Sequence, residues 1–370
     1  MNISKRLIAL DVLRGMTISF MILVNTPGSW SYVYPPLRHA KWHGCTPTDL
    51  VFPFFIFIVG VSVFFSFKKY HTNMNKTSLL KILKRTVIIF LLGLFLNLFP
   101  HFDFSNVRIM GVLQRIALAY GIGAILCLSL EKIKLLYVLG VLLIGYWALL
   151  YFTSGQELYI LENNVVRTFD LFLLGEKHVY KGFGIPFDPE GVLSTIPAIG
   201  TLIIGFLTGQ IVGTKISVID KIKVLLGYGV LLVALGSIWS IVFPINKALW
   251  TSSYVLYAAG WAILLLALLV FLIDYKGYSK WAKPFVHFGT NPLFIFVFSG
   301  LYVKTISYLV KIPTEAAGEA KISGYKYLFE HVFAPITGHM NGSLLFALSH
   351  IVFFWGICFL LFKGRVFIKI

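Results

Sequence analysis

Two histidines, His39 and His43, stand in a short polar and aromatic run, Arg38-His39-Ala40-Lys41-Trp42-His43-Gly44. Long apolar segments flank it on both sides. Imidazole is the side chain best suited to moving protons near neutral pH. A reaction centre here would use one ring as a general base or as a nucleophile. A carboxylate, Asp49, follows in Thr46-Pro47-Thr48-Asp49. It has two readings. Thr46 suits an N-cap, Pro47 suits the first helical position, and Asp49 then completes a capping-box-like pattern ahead of an apolar run. The same carboxylate could instead fix the tautomer of His39, a recurring catalytic device. A single loop histidine is more often inert than catalytic, and the residues alone do not choose between His39 and His43.

Other polar side chains sit inside apolar runs, where a charge at mid-membrane costs about 2.5–3.5 kcal/mol on insertion scales. Asp11 and Arg14 share a helix face, as an ion pair or with Arg14 meeting an anionic ligand from the cytoplasm. Gln114 and Arg115 lie together, and Arg115 has no acid close in sequence, so its partner is another helix or a ligand. Asn291, in Gly289-Thr290-Asn291-Pro292, marks a helix break, whose freed backbone groups it could bond. Asn25, just before Pro27-Gly28, is a C-cap or an amide donor to a carbonyl beside His39. Asp188 and Glu190 open a later helix, where its dipole favours them; they could also bind a cationic amino sugar. Trp42, with Trp30, Tyr32 and Tyr34, fits either an interfacial aromatic belt or a stacking wall for a sugar ring.

The elements that must position these residues are membrane helices. The 370-residue chain is 58% hydrophobic and 13% charged, with mean hydropathy +0.84. Apolar runs of about 20 residues recur, as bilayer crossing requires. The expected fold is all-α: a polytopic membrane protein forming a single domain over 1–370. About ten spans are expected, near 7–27, 49–67, 85–100, 107–130, 135–152, 191–213, 223–243, 251–273, 284–306 and 343–362. The basic first stretch is expected to be a retained helix, not a signal peptide, because Asp11 and Arg14 interrupt it. With both termini cytoplasmic, about 19 of the 32 Lys and Arg fall on the inner face, as the positive-inside rule asks. That rule accounts for the net charge of +17 without nucleic acid, and it puts the His39 loop outside. Two outer segments are long, near 153–190 and 307–342, and Tyr325–Phe333 in the second could form a helix lying on the membrane. Cys45, Cys127 and Cys358 form no spaced pair, so neither a disulfide nor a metal site is expected.

In combination the motifs are specific. They run Leu10-Asp11-Val12-Leu13-Arg14-Gly15; Val24-Asn25; His39-Ala40-Lys41-Trp42-His43-Gly44; Thr46 with Asp49-Leu50-Val51-Phe52-Pro53; Gly111-Val112-Leu113-Gln114-Arg115; and Asp188-Pro189-Glu190-Gly191-Val192-Leu193. Together they resemble the heparan-alpha-glucosaminide N-acetyltransferase family of membrane acyltransferases, bacterial relatives included. The resemblance implies transfer of acetyl from cytoplasmic acetyl-CoA, without a metal, to the amine of a glucosamine-type sugar across the membrane. It makes His39 the active-site histidine, with Asn25 and Asp49 as neighbours. The family pattern admits asparagine at the position of His43. The chain lacks the large N-terminal region of the lysosomal member, which fits a compact form in a bacterial inner membrane with the active loop facing the periplasm.

On this reading Trp42, Asp188 and Glu190 face the acceptor, and Arg14, Gln114, Arg115 and Asn291 the donor. A homodimer is left open. Two other functions fit the same residues: an O-acyltransferase of surface polysaccharide, and a sugar or organic-anion transporter with Asp11, Arg14 and Arg115 along its pathway.

Overall fold

In a bilayer a backbone can satisfy its N–H and C=O groups only within itself, so each apolar run closes into a helix. The computed structural model describes residues 7–68, 74–153, 158–313 and 321–368. The helices are α1 (Ile8–Asn25), α2 (Val51–Phe67), α3 (Lys76–Leu98), α4 (Val112–Ser129), α5 (Lys132–Thr153), α6 (Val165–Leu174), α7 (Thr195–Val212), α8 (Val218–Trp239), α9 (Ser252–Leu269), α10 (Lys283–Thr290), α11 (Pro292–Lys304), α12 (Gly324–Leu328) and α13 (Ala334–Lys363). The described sheet is one small antiparallel hairpin, β1 (Lys311–Pro313) with β2 (Lys321–Ser323). Among the described residues nine segments are long and apolar enough to cross a membrane. The all-α, multi-pass architecture expected from composition is therefore present.

The third expected span, near 85–100, is α3; it is not among those nine and carries Lys76, Lys81, Lys84 and Arg85 in its first half. It still runs the full length of α4 in the opposite direction. At one end the Met74 N–H donates to the Leu128 carbonyl (2.9 Å). At the other, Asn97 Nδ2 donates to the Arg108 (2.8 Å) and Met110 (3.1 Å) carbonyls. Asn75 caps α3 by accepting from the Ser78 N–H, so the helix starts well before the expected 85. The ninth span breaks at Asn291, as its Asn-Pro step foretold. The last begins earlier than 343: the helix expected over Tyr325–Phe333 forms and leads directly into α13, and the chain turns at Gly338, whose φ is 78°. The long segment 153–190 contains the short helix α6, as loops of that size often do. The basic residues Lys5, Arg6, Lys69 and Lys369 lie outside the described residues.

Two helix pairs approach so closely that only glycine fits between them. A Cβ on Gly60 of α2 would collide with the Leu202 carbonyl of α7, and one on Gly205 of α7 with the Phe57 carbonyl of α2. Gly15 of α1 meets the Phe285 carbonyl of α10 in the same way, and Gly289 of α10 meets the Asp11 carbonyl. Lipid is as apolar as leucine, so close backbone packing replaces the hydrophobic effect in joining such helices. Outer helices α5 and α8 expose Tyr137, Val141, Val230 and Ile238, as a lipid-facing surface does.

Alternation of the helices gathers several connections at one end, among the described residues. The Gly44 N–H donates to the Ile245 carbonyl (2.8 Å), the Ile109 N–H to the His178 carbonyl (2.9 Å), and the Gly28 N–H to the Ser343 carbonyl (3.2 Å). Tyr325 Oη donates to the Pro27 carbonyl (2.6 Å). Segments 26–50, 99–111, 158–194, 240–251, 305–313 and 321–342 thus share the end that holds His39.

Candidate functional site

The local sequence folds the His39 loop around one carboxylate. Pro47–Leu50 form a single 3-10 turn leading into α2, with Thr46 before it and Asp49 closing the capping box. Asp49 Oδ2 accepts from the Thr46 N–H, from Thr46 Oγ1 and from the Ala40 N–H, each at 3.0 Å. Asp49 Oδ1 lies 2.7 Å from His39 Nδ1. Both readings of Asp49 therefore hold at once, because a carboxylate has two oxygens with two lone pairs each. One oxygen ties the loop; the other holds the ring. Asp49 itself is buried (1% exposed), and Tyr254 Oη of α9 donates to its backbone carbonyl (2.6 Å).

A 2.7 Å contact between Nδ1 and a carboxylate oxygen needs a proton between them, so Nδ1–H donates to Asp49. The unshared pair of the neutral ring is then on Nε2, which has no partner among the described residues. Side-chain exposure of 46% at His39 against 2% at Asp49 leaves that nitrogen reachable while its orienter stays dry. Chemically this is an oriented base, or an oriented nucleophile, at an open surface.

Lys247, which gave no sequence signal, completes the cluster. Its Nζ lies 3.1 Å from His39 Nδ1 and 3.6 Å from Asp49 Oδ1. It comes from the turn between α8 and α9, far away in sequence, and no local motif marks it. Burial lowers its proton affinity, against the pull of Asp49 and Glu190. His43 is turned elsewhere: Asn246 Nδ2 approaches its Nδ1 at 3.4 Å, and burial lowers its proton affinity too. Cys45, half-buried and beside Asp49, has its thiol pushed up to about 12, chiefly by burial, so it stays a neutral thiol.

Trp42 packs edge-on against Phe183 and Phe187 and donates from Nε1 to the Tyr159 carbonyl (2.8 Å). It docks the loop onto segment 158–194. Asp188 and Glu190 face inward, onto Arg108. Asp188 accepts from Arg108 Nε (2.9 Å) and Nη2 (2.6 Å), and Glu190 also binds Nη2. Burial alone would make Arg108 less basic; Glu190 and Asp188 outweigh it and hold it more basic than usual. Its guanidinium also covers the Tyr180 ring.

The residues expected to face the donor all have protein partners. Arg115 is fully buried, bonded to the Gly191 carbonyl (3.1 Å) and Ser194 Oγ and stacked on Trp250. Gln114 Nε2 donates to the Ile109 carbonyl (2.9 Å). Asn291 donates to the Val366 carbonyl (3.0 Å) and accepts from the Ile368 N–H (2.7 Å), which fastens the C-terminal segment to the helix break. Arg14 pairs with Asp11 (2.9 Å), Ser62 Oγ (2.9 Å) and the Gly289 carbonyl (3.2 Å), joining α1, α2 and α10. Asn25 ends α1 with its side chain exposed. It makes no hydrogen bond to His39 or Asp49, and Thr26 is the C-cap.

Fold and site together define a multi-pass membrane protein with a carboxylate-oriented imidazole on a loop at one membrane face. Residues 6–223 match the family described as "Heparan-alpha-glucosaminide N-acetyltransferase, catalytic". The chain belongs to that family. It is 30% identical over 352 residues to human heparan-alpha-glucosaminide N-acetyltransferase, covering 79% of this chain and 52% of the human protein. The mouse protein of the same name is 28% identical over 366 residues, covering 80% and 53%. The chain thus spans about half the length of the curated relatives it matches.

Proposed function

We propose that this chain is a single-domain transmembrane N-acetyltransferase. It moves acetyl from acetyl-CoA on the cytoplasmic side to the amine of a glucosamine-type sugar on the outer side of a bacterial inner membrane. One observation carries the reading: the 2.7 Å contact between His39 and a buried Asp49, inside the stretch matched to the family. The distribution of Lys and Arg supports the orientation.

The chemistry needs what this pair offers. A thioester is a good acyl donor, but the acceptor must attack as a free amine. As the new C–N bond forms, His39 Nε2 takes the amine proton. The C–S bond then breaks, and the imidazolium returns a proton as CoA leaves as the thiol. Asp49 keeps Nδ1 as the donor and steadies the imidazolium. Asn25, exposed at the end of α1, supplies an amide N–H to the acetyl oxygen. Trp42 forms part of the acceptor wall. Asp188 and Glu190 act through Arg108, keeping segment 158–194 against segment 99–111. Arg14 and the basic residues at the opposite end attract the phosphates of CoA, while Gln114, Arg115 and Asn291 hold the frame around the pantetheine path.

The test is mass spectrometry of products from purified protein, acetyl-CoA and a panel of amino sugars. The expected result is an alkali-stable acetamide with stoichiometric release of thiol. An alkali-labile ester would mean an O-acyltransferase. No thiol release from folded protein would remove the acyltransferase reading in favour of transport.

A further inference from the structure

The turn that carries Lys247 is built too rigidly for an incidental surface lysine. Asn246, fully buried, accepts from the Leu249 N–H (2.8 Å) and donates its own N–H to Thr251 Oγ1 (3.0 Å). Thr251 Oγ1 donates to the Pro244 carbonyl (2.9 Å), and the Trp250 N–H to the Lys247 carbonyl (3.1 Å). Trp250 takes a left-handed φ of 51° to close the turn, and its buried ring lies under Arg115. From outside, Tyr146 Oη donates to the Leu249 carbonyl (2.6 Å), and the Gly44 N–H to the Ile245 carbonyl joins the turn to the His39 loop. Lys247 Nζ is thereby held within reach of both members of the His39–Asp49 pair.

Nδ1 has one in-plane position, and the proton shared with Asp49 occupies it. Lys247, at 3.1 Å, therefore cannot donate to that nitrogen and must act on the ring as a charge. The other titratable groups facing the pair contribute less. Cys45 is a neutral thiol, His43 is bonded to Asn246, and Glu190 faces away onto Arg108, which it shares with Asp188, with Arg115 bonded to the neighbouring Gly191 carbonyl. An Asp49 carboxylate alone would favour the imidazolium and so hold His39 in the form that cannot accept a proton. We propose that Lys247 is a positioning residue that balances Asp49, so that His39 stays neutral and able to act as a base between turnovers. The inference rests on the acetyl-transfer reading above and names the group that sets its working pH.

A like charge nearby disfavours a second charge, and a charge within a few ångström typically moves a neighbour's titration by about 1–3 pH units. Removing Lys247 therefore strengthens the hold of His39 on its proton. Lys247→Gln moves the acidic limb of kcat/KM upward by at least about one unit, and activity recovers to within a few-fold above that limb. Lys247→Arg, which keeps the charge, leaves the limb in place whatever it does to the rate. A second readout does not need turnover: the pH dependence of His39 carbethoxylation by diethyl pyrocarbonate, followed by mass spectrometry with fragment ions that separate His39 from His43. In Lys247→Gln its midpoint moves up by the same amount. An unshifted midpoint in monodisperse Lys247→Gln protein overturns the proposal, as does an equal loss of rate at every pH. A shifted midpoint in protein that never turned over acetyl-CoA would leave the charge balance standing and sink the acetyl-transfer reading instead.

Discussion

Asp49→Asn alters one atom's chemistry and almost no volume, so its cost can be worked from the hydrogen bonds. The carboxylate receives His39 Nδ1 on one oxygen, and the Ala40 N–H, Thr46 N–H and Thr46 Oγ1 on the other. An amide has one oxygen. If its NH2 faced Ala40 and Thr46, two backbone donors would meet a donor and the loop would lose its tie. The less costly orientation keeps the oxygen there and turns the NH2 toward His39. Nδ1 must then accept, and the proton moves to Nε2, the nitrogen required bare.

Losing a hydrogen bond to a charged group costs about 1.5–3 kcal/mol, and the wrong tautomer adds to that. A total of roughly 4–5 kcal/mol is a thousandfold to several-thousandfold in rate. The same exchange in a Ser-His-Asp triad costs about ten-thousandfold. The expected result is a kcat reduced about a thousandfold or more, with both Michaelis constants nearly unchanged, measured as thiol release from acetyl-CoA with glucosamine. A monodisperse Asp49→Asn protein working within tenfold of wild type would refute the orienting role.

His39→Ala should lose about a hundredfold to ten-thousandfold in rate while still inserting, whereas His43→Asn should keep most of its activity; the reverse pattern would move the base to His43. Rapid quench with labelled acetyl-CoA and no acceptor then separates an acetyl-histidine, seen as label lost in His39→Ala, from direct transfer, seen as no label. Arg115→Gln should lower thermal stability without raising the Michaelis constant for acetyl-CoA, because it leaves the buried Gly191 carbonyl and Ser194 hydroxyl without their donor, at about 1–3 kcal/mol; Arg14→Gln should raise that constant, and an unchanged value would remove Arg14 from the donor site. For orientation, an impermeant maleimide on intact spheroplasts should label Ser31→Cys, which is exposed at the His39 end, and should reach Lys215→Cys only after permeabilisation. Native Cys45 is a poor reporter, since its thiol titrates near 12 and the thiolate is the reactive form.

The sequence by itself determined the membrane class and the run of membrane helices, and put Asp49 on the same loop as His39 and His43. Each is a local signal: apolar length sets a span, and Thr46-Pro47-Thr48-Asp49 fixes a cap whose carboxylate lies beside a ring on the same loop. The break at Asn291 was legible for the same reason, because a proline forbids the helix locally. What only the tertiary structure decided is where charges from different helices meet. Arg108 carries no sequence signal until Asp188 and Glu190 close on it, and the partner that Arg115 lacks nearby in sequence includes Gly191 and Ser194 from another segment. Lys247 carries no motif at all. Its role comes from a turn more than two hundred positions further on than the His39 loop, joined to it by the Gly44–Ile245 hydrogen bond. Pairing over such distances depends on how the helices pack, here through Gly60 with Gly205 and Gly15 with Gly289, and a helix's own periodicity does not encode its neighbour.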